Sequence, residues 1–220
     1  MKRLQIVLAA VCLLTLAGCA GGPLPDQALS VSSAAAKNNT ILVGRIESFH
    51  KEHLLNQWVA GSVKIALTPA GAPPFFNDLT LCPGRTALSE PCGWRANGIL
   101  FGPDKAQPWS SLNSFVMEVP AGSYSLTLIE ASPYLWGVKP TDKSRLPLLT
   151  LKPGEVVNLG VIKAFFASPQ VNGQFKFYSK YVATKITAEA DEAGARAFLA
   201  AANPALAGAL VTRLLPTPSE

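Results

Sequence analysis

One of the four cysteines in this 220-residue chain, Cys19, stands where covalent attachment of a lipid is expected. Cys12 lies inside an apolar segment, and Cys19 ends the motif Leu16-Ala17-Gly18-Cys19, which has the form of a bacterial lipobox. Basic residues at positions 2 and 3 and an apolar run up to Leu16 precede the motif, as in a secretory signal. The sequence therefore predicts a lipoprotein signal peptide over residues 1–18, its removal, and a diacylglyceryl group on the Cys19 thiol.

A lipidated Cys19 makes the membrane a partner of the chain through its acyl chains, which hold stably when there are two or three of them. Asp directly after the acylated cysteine commonly retains lipoproteins at the inner membrane, and this chain has Ala20 there. We therefore expect an outer-membrane location, on the periplasmic face. Residues 19–39 are predicted to be the lipidated cysteine and a flexible tether, for which about twenty residues give a root-mean-square span of roughly 25 Å.

The other two thiols, Cys82 and Cys92, remain in the exported part of the chain. Disulfides persist in oxidising compartments, so a structural Cys82–Cys92 disulfide is the favoured interpretation. Its short loop corresponds to roughly 2.5–3 kcal/mol in the chain-entropy treatment. A pair of free thiols and a catalytic pair are the alternatives, although redox pairs usually have the closer C-x-x-C spacing.

The remaining polar residues indicate no enzyme. His50 and His53 are the only histidines, and their spacing is not that of a zinc-binding H-E-x-x-H helix. The chain has no G-x-S-x-G elbow, P-loop or G-x-G-x-x-G motif, and its carboxylates fall on no recognisable framework. We therefore predict no catalytic residues, no metal site and no cofactor.

The charge balance argues against nucleic acid as a partner. The chain has 19 Lys and Arg against 14 Asp and Glu, and losing Lys2 and Arg3 with the signal leaves 17 − 14 = +3. This excess is weak, and the basic residues are scattered rather than clustered in one stripe.

Alternating apolar and polar residues predict strands through the middle of the chain. Such alternation gives each strand one apolar face, as an antiparallel sheet or sandwich requires. Pro-Ala-Gly and Pro-Gly turns separate several of the strands, which favours a β-sandwich over residues 40–187. Ile41–Ile46 opens the first strand. The alternating apolar sets of the later strands are Val63, Ile65 and Leu67; Phe115, Met117 and Val119; Tyr124, Leu126 and Leu128; Val157, Leu159 and Val161; Phe175, Phe177 and Tyr181.

A long Pro- and Gly-rich segment, residues 71–113, contains the cysteine pair and interrupts the strands. Long loops in compact domains are frequently functional. Its aromatic side chains either pack over the open end of the sandwich or form an exposed contact surface. The candidate contact residues are Phe75, Phe76, Trp94, Phe101 and Trp109.

Residues 188–220 are predicted to be helical. Acidic residues at 189, 191 and 192 suit a first helical turn, and Ala195, Phe198, Leu199 and Ala202 follow at helical spacing. Asn203-Pro204 predicts the start of a second short helix with Leu206, Leu210, Val211 and Leu214 on one side. These helices either dock on the sheet or bind a partner.

Two stretches carry a resemblance to a known fold family. Phe115-Val-Met-Glu-Val-Pro-Ala-Gly-Ser-Tyr-Ser-Leu126 resembles the strand–turn–strand of transthyretin-like (prealbumin-like) sandwiches, which include regulatory domains of carboxypeptidases. Leu151–Ile162 is similar to the edge that follows in an uncharacterised family of bacterial lipoproteins with this fold. The resemblance implies a seven- or eight-stranded transthyretin-like antiparallel β-sandwich and supplies no catalytic residues.

These observations lead to two hypotheses about function. The first is a non-enzymatic, lipid-anchored binding or assembly module that faces the periplasm and uses the disulfide loop for contact. The alternative is a structural subunit of an envelope or secretion complex, recruited through the C-terminal helices. An envelope protein is a candidate partner in either case.

Overall fold

The computed structural model describes residues 29–52, 57–60, 62–72, 79–82, 108–111, 113–132, 148–167 and 182–216. These ranges are mainly β, with few helices, as predicted. The strands are β1 (Asn39–Glu52), β2 (Gln57–Ala60), β3 (Ser62–Pro69), β4 (Leu79–Leu81), β5 (Ser114–Pro120), β6 (Gly122–Ser132), β7 (Leu149–Leu151), β8 (Val156–Ala167), β9 (Val182–Glu189) and β10 (Leu210–Thr212). The helices are α1 (Val31–Ala36), α2 (Glu192–Ala200) and α3 (Pro204–Gly208).

The strands form two sheets. In sheet A the long strands β1 and β8 lie side by side; β5 and β2 pair with successive parts of β1, and β10 and β9 with successive parts of β8. Sheet B has the order β4-β3-β6-β7. The chain passes from one sheet to the other at the predicted Val119-Pro-Ala-Gly122 turn, because β5 belongs to sheet A and β6 to sheet B.

Sheet A is not purely antiparallel, which corrects the sequence prediction. β8 runs parallel to β1, and β10 runs parallel to β8. Parallel neighbours need a long connection. Here the connection between β1 and β8 includes the strands of sheet B, so the chain can return to sheet A in the same direction in which it left.

Two apolar clusters lie on opposite faces of sheet A. The inter-sheet core fills the space against sheet B, and its largest buried members include Leu42, Ile46, Leu67, Phe115 and Met117. The outer cluster is covered by the three helices and includes Ile41, Val43, Val116, Leu199 and Leu206. Sheet A is therefore apolar on both faces where the helices cover it. Val116, predicted on the more polar side of its strand, is buried for this reason.

A β-bulge at Gly160 corrects the predicted alternation in β8. Between Asn158 and Val161 this strand has two residues where the paired β1 has one, between Val43 and Arg45. Gly160 has a φ of +85°, which L side chains rarely adopt. The extra residue shifts the phase, so that Ile162 and not Val161 continues the inter-sheet core after Val157 and Leu159.

The C-terminal segment is docked on the domain, and part of it is a strand. Asn203 caps α3 and Pro204 opens it, as predicted. Of the three acidic residues predicted in a first helical turn, Glu192 lies there, Asp191 is instead the N-cap of α2, and Glu189 ends β9. The predicted second helix, however, ends at Gly208, and residues 210–212 pair with β8 as β10. Its apolar stripe is therefore split: Leu206 and Leu210 are buried, whereas Val211 and Leu214 are exposed.

The described end of the predicted tether is folded. Ser30 caps α1, and Ala34 is fully buried in the outer cluster, with Leu29 and Val31 packed against it. The Asn203 amide also donates a hydrogen bond to the Leu29 carbonyl oxygen at 2.8 Å. Val31 and Ala34, three positions apart, lie on the side of this short helix that packs against the outer cluster, and this packing stabilises it. The predicted tether can therefore extend only as far as residue 28.

Deleting α1 is expected to destabilise the domain, whereas a shorter deletion should not. Removal of residues 20–36 strips Leu29, Val31 and Ala34 from the outer cluster and should lower the free energy of unfolding by about 2 kcal/mol. The matched control removes residues 20–28 alone. Denaturant unfolding of both variants, prepared without the signal peptide, checks the difference; equal stabilities would show that α1 contributes nothing.

Candidate functional site

Trp109, the one candidate contact residue that the structure describes, lies in a cluster between α2 and sheet A. We call Trp109, Arg45, Glu47 and Asp191 the Trp109 cluster. The Arg45 guanidinium carbon lies 5.6 Å from the centroid of the Trp109 ring, a cation–π distance. The indole also packs against Phe198 of α2, with 6.0 Å between ring centroids.

Asp191 joins the indole to the first turn of α2. Its Oδ2 accepts a hydrogen bond from Trp109 Nε1 at 2.7 Å, and its Oδ1 accepts one from the Gly194 backbone N–H at 3.0 Å. This is an N-cap, in which the aspartate satisfies a helical N–H. Gly194 is required here, since a Cβ would lie 2.5 Å from both Asp191 Oδ2 and Trp109 Nε1. These bonds and the Arg45 guanidinium hold the pKa of Asp191 below its usual range, the Trp109 hydrogen bond most strongly.

A buried ion pair forms the floor of the cluster. Arg45 and Glu47 lie two residues apart on β1 and therefore share the face that the helices cover. Their charged atoms are 3.0 Å apart, and Arg45 Nη1 lies 4.0 Å from Asp191 Oδ2. Burial raises the pKa of Glu47, against the opposing effect of Arg45 and of Lys163 on β8. Lys163 in turn pairs with Glu189 of β9 at 2.8 Å.

The cluster fastens three separate segments of chain together. Arg45 and Glu47 belong to β1, Trp109 ends the long loop before β5, and Asp191 begins α2. Breaking one side of a buried ion pair is strongly destabilising, since it leaves a charge without its partner. The arrangement is therefore suited to fixing the C-terminal end of the loop, residues 108–113, against the helices and sheet A. Trp109 is half-buried in this position, and its role as a contact residue stays a prediction.

The other sequence-predicted site residues are only partly described. Cys82 directly follows β4 and is buried, whereas Cys92 lies outside the described residues, so the predicted disulfide stays a prediction. Cys19 and the four aromatic residues Phe75, Phe76, Trp94 and Phe101 also lie outside the described residues, as does the predicted strand with Phe175 and Phe177.

Sequence reasoning missed the charged members of the Trp109 cluster. The available signal was the pattern of β1, in which Arg45 and Glu47 follow Ile41 and Val43 on the same face of the strand. When two charged side chains follow apolar ones on the same face of a strand, either that part of the face is exposed to solvent or the two charges form a buried ion pair. The pairing with Asp191, 146 positions later (191 − 45), has no local signal.

Asp191→Asn is expected to destabilise the domain by about 1 kcal/mol at pH 7 and by less at pH 3. A carboxylate whose pKa is lowered on folding contributes stability above its unfolded pKa, near 3.9, and that stability is lost as the pH falls through the folded pKa. The side chain of Asp191 is 37% exposed, so solvent screening keeps the effect small. Unfolding measured at both pH values tests this. Trp109→Phe removes the hydrogen bond to Asp191 and should therefore also reduce the pH dependence of stability. If Asp191→Asn destabilises the domain equally at both pH values, the charge of Asp191 does not contribute to stability.

A second surface lies where the edge strands of the two sheets meet. The Arg213 side chain, just after β10, donates a hydrogen bond to the Thr150 carbonyl oxygen of β7 at 2.6 Å and forms an ion pair with Glu155 at 3.0 Å. Leu148 before β7, Val211 on β10 and Leu214 are 57%, 49% and 36% exposed. A charged side chain at such an edge disfavours strand addition by another chain.

Within the described ranges, no three His, Cys, Asp or Glu side chains are grouped so that they could hold a metal ion. No helix in the same ranges is long and apolar enough to cross a bilayer. Comparison with protein-family models, with curated proteins and with solved structures gave no significant match.

Proposed function

We propose that this protein is a non-enzymatic binding or assembly module that a lipid on Cys19 anchors to the periplasmic face of the bacterial outer membrane. The motif at residues 16–19 carries this proposal, since small residues directly before a cysteine at the end of an apolar signal segment are the requirement for lipoprotein processing. The membrane is then the first partner of the chain, and an envelope protein or ligand is the second.

The long loop between β4 and β5 is the proposed contact region. Both of its described ends are held firmly: Cys82 is buried beside sheet B, and Trp109 is bound to α2 through Asp191. A loop whose two ends are fixed on a rigid scaffold is the usual place for a binding surface. Trp94 and Phe101 lie in this loop, and Phe75 and Phe76 lie in the connection just before β4. The predicted Cys82–Cys92 disulfide would restrict the loop further.

We also propose that the sandwich is transthyretin-like. The corner at residues 119–122, where the chain leaves sheet A for sheet B, coincides with the Val-Pro-Ala-Gly stretch that carries the resemblance. Tyr124 supports the corner, since its hydroxyl donates a hydrogen bond to the Pro120 carbonyl oxygen at 2.8 Å. The parallel pairings of β8 and the three helices are additions to the minimal fold.

The anchor is tested by replacing Cys19 with alanine and following fatty-acid labelling and fractionation. Labelling should be lost, and the protein should accumulate as precursor or leave the membrane fraction. Cys12→Ala is the matched control, because Cys12 lies within the apolar segment and should be dispensable for acylation. Undiminished labelling of the Cys19→Ala protein would refute the proposal.

The alternative, recruitment into an envelope or secretion complex through the C-terminal segment, has less support. Leu206 and Leu210, which would form the apolar face for a partner under this alternative, are buried in the outer cluster. Val211 and Leu214 are the exposed apolar side chains of the described part of this segment. If the alternative is correct, Val211→Ser should lose co-purifying envelope proteins without changing the melting temperature.

A further inference from the structure

The chain that leads from the proposed lipid anchor enters the domain through the helix layer formed by α1, α2 and α3. The first described residue is Leu29, which precedes α1 and whose carbonyl oxygen is bonded to Asn203 at the start of α3. Leu29 itself packs against the outer cluster. The anchor chain is therefore attached on the helix side of sheet A, opposite to sheet B.

Few residues separate this attachment point from the anchor. Cys19 and Leu29 are ten positions apart (29 − 19), which corresponds to at most about 35 Å when fully extended. A flexible chain of that length has a root-mean-square span of about 17 Å. A globular domain of about 190 residues is about 40 Å across. The distance from the membrane to Leu29 is therefore smaller than the diameter of the domain. The surface beside Leu29 is then the part of the domain that lies nearest to the membrane.

The outer surface of α1 and α3 carries no charged side chain, although exposed charges border it at Lys37, just after α1, and at the Glu192–Arg196 pair on α2. Residues 29–36 and 197–209 contain no Asp, Glu, Lys or Arg. The exposed residues in these two ranges are Ser32, Ala35, Ala36, Ala197, Ala200, Ala201, Pro204, Ala205 and Gly208. Acidic groups at this position would be repelled by the negative surface potential of anionic lipids, and long charged side chains would have to lose water on close approach. The observed surface avoids both costs.

We infer that the outer surface of α1 and α3 faces the lipid headgroups, so that sheet B and its edges point away from the membrane. This inference rests on the proposed lipid anchor at Cys19. One helix layer and one sheet-to-sheet spacing, each about 10 Å thick, place sheet B roughly 20 Å farther from the membrane than the helix surface.

Site-specific fluorescence quenching tests this orientation in the lipidated, full-length protein. Ala205→Cys, on α3, and Ala70→Cys, after β3 in sheet B, are matched variants because both alanines are exposed. Each is labelled with a thiol-reactive fluorophore and reconstituted in phosphatidylethanolamine–phosphatidylglycerol vesicles that contain nitroxide-headgroup lipids. We expect at least twofold stronger quenching at position 205 than at position 70. The unsubstituted protein, labelled in parallel, gives the background from the native cysteines.

The outcomes separate the orientation from the anchor. Equal quenching at the two positions, or stronger quenching at position 70, in protein that floats with the vesicles overturns the orientation and leaves the anchor standing. Unsubstituted protein that carries no acyl mass and does not float overturns both. Ser32→Cys on α1, also exposed, repeats the test on a second helix and should match position 205.

Discussion

Gly160→Ala is expected to lower the free energy of unfolding by about 2–5 kcal/mol. Two separate costs add at this bulge. Alanine at a φ of +85° is strained by about 1–2 kcal/mol. The new Cβ would also lie 2.5 Å from the Glu189 carbonyl oxygen and 2.6 Å from Leu214 Cδ2, and relieving such overpacking costs about 1–3 kcal/mol.

Gly71→Ala is the matched control for this prediction. Gly71 has nearly the same φ, +83°, but a Cβ there would meet no atom of the described residues within 4 Å. It should therefore show the backbone strain alone, about 1–2 kcal/mol. Chemical denaturation gives the free energy of unfolding of both variants. The difference between the two values is the cost of the steric contact between a Cβ at position 160 and the end of β9. If the two variants are equally destabilised, a Cβ at position 160 causes no costly contact with the Glu189 carbonyl oxygen.

Leu206→Ala is expected to cost about 2–5 kcal/mol, because Leu206 is fully buried in the outer cluster and its removal leaves a cavity. The neighbouring backbone is firmly held and has little room to collapse into that cavity. Arg196 of α2 donates hydrogen bonds to the Ala207 and Leu210 carbonyl oxygens, and Arg196 is itself paired with Glu192 at 2.8 Å.

Leu214→Ala is the control in the same segment, since its side chain is 36% exposed and the substitution should change stability by less than about 1 kcal/mol. Thermal melts combined with purification of envelope partners then distinguish docking from recruitment. A destabilised Leu206→Ala protein that keeps its partners supports docking. A stable Leu206→Ala protein that loses them would reverse this interpretation and favour the assembly-subunit alternative.

The parts of the fold that local sequence determines were predictable. The alternation of Phe115, Met117 and Val119 places all three in the inter-sheet core, and the caps at Asp191 and Asn203 follow from side chains that bond to nearby backbone groups. The errors have a common cause in long-range pairing. Residues 210–212 have helical spacing in the sequence, but their backbone pairs with β8, and packing overrides local preference in such short segments.

The Trp109 cluster shows the same limit for the candidate site. Trp109 was recognised as a notable aromatic residue of the loop, and Asp191 as a helix-start acid. The sequence around Trp109 does not predict its contact with Asp191, because the two residues are 82 positions apart (191 − 109). Only the topology of the whole domain brings them within hydrogen-bond distance. Arg45 and Glu47 were predictable as neighbours on one face of β1, but whether that face is buried depends on helices at both ends of the described chain.

The parallel pairing of β1 with β8 has a consequence for the order in which the protein can fold. Ile41 pairs with Val156, 115 positions later (156 − 41), and β10 adds to the same sheet only after residue 210. Contacts between such distant segments form slowly, since a long loop has to close before any of them is made. The pairing of β1 with β8 therefore cannot form until residues 156–167 have been made, whereas β2 and β5 can pair with β1 earlier. If the chain is exported as we propose, sheet A stays incomplete until β8 and β10 have followed.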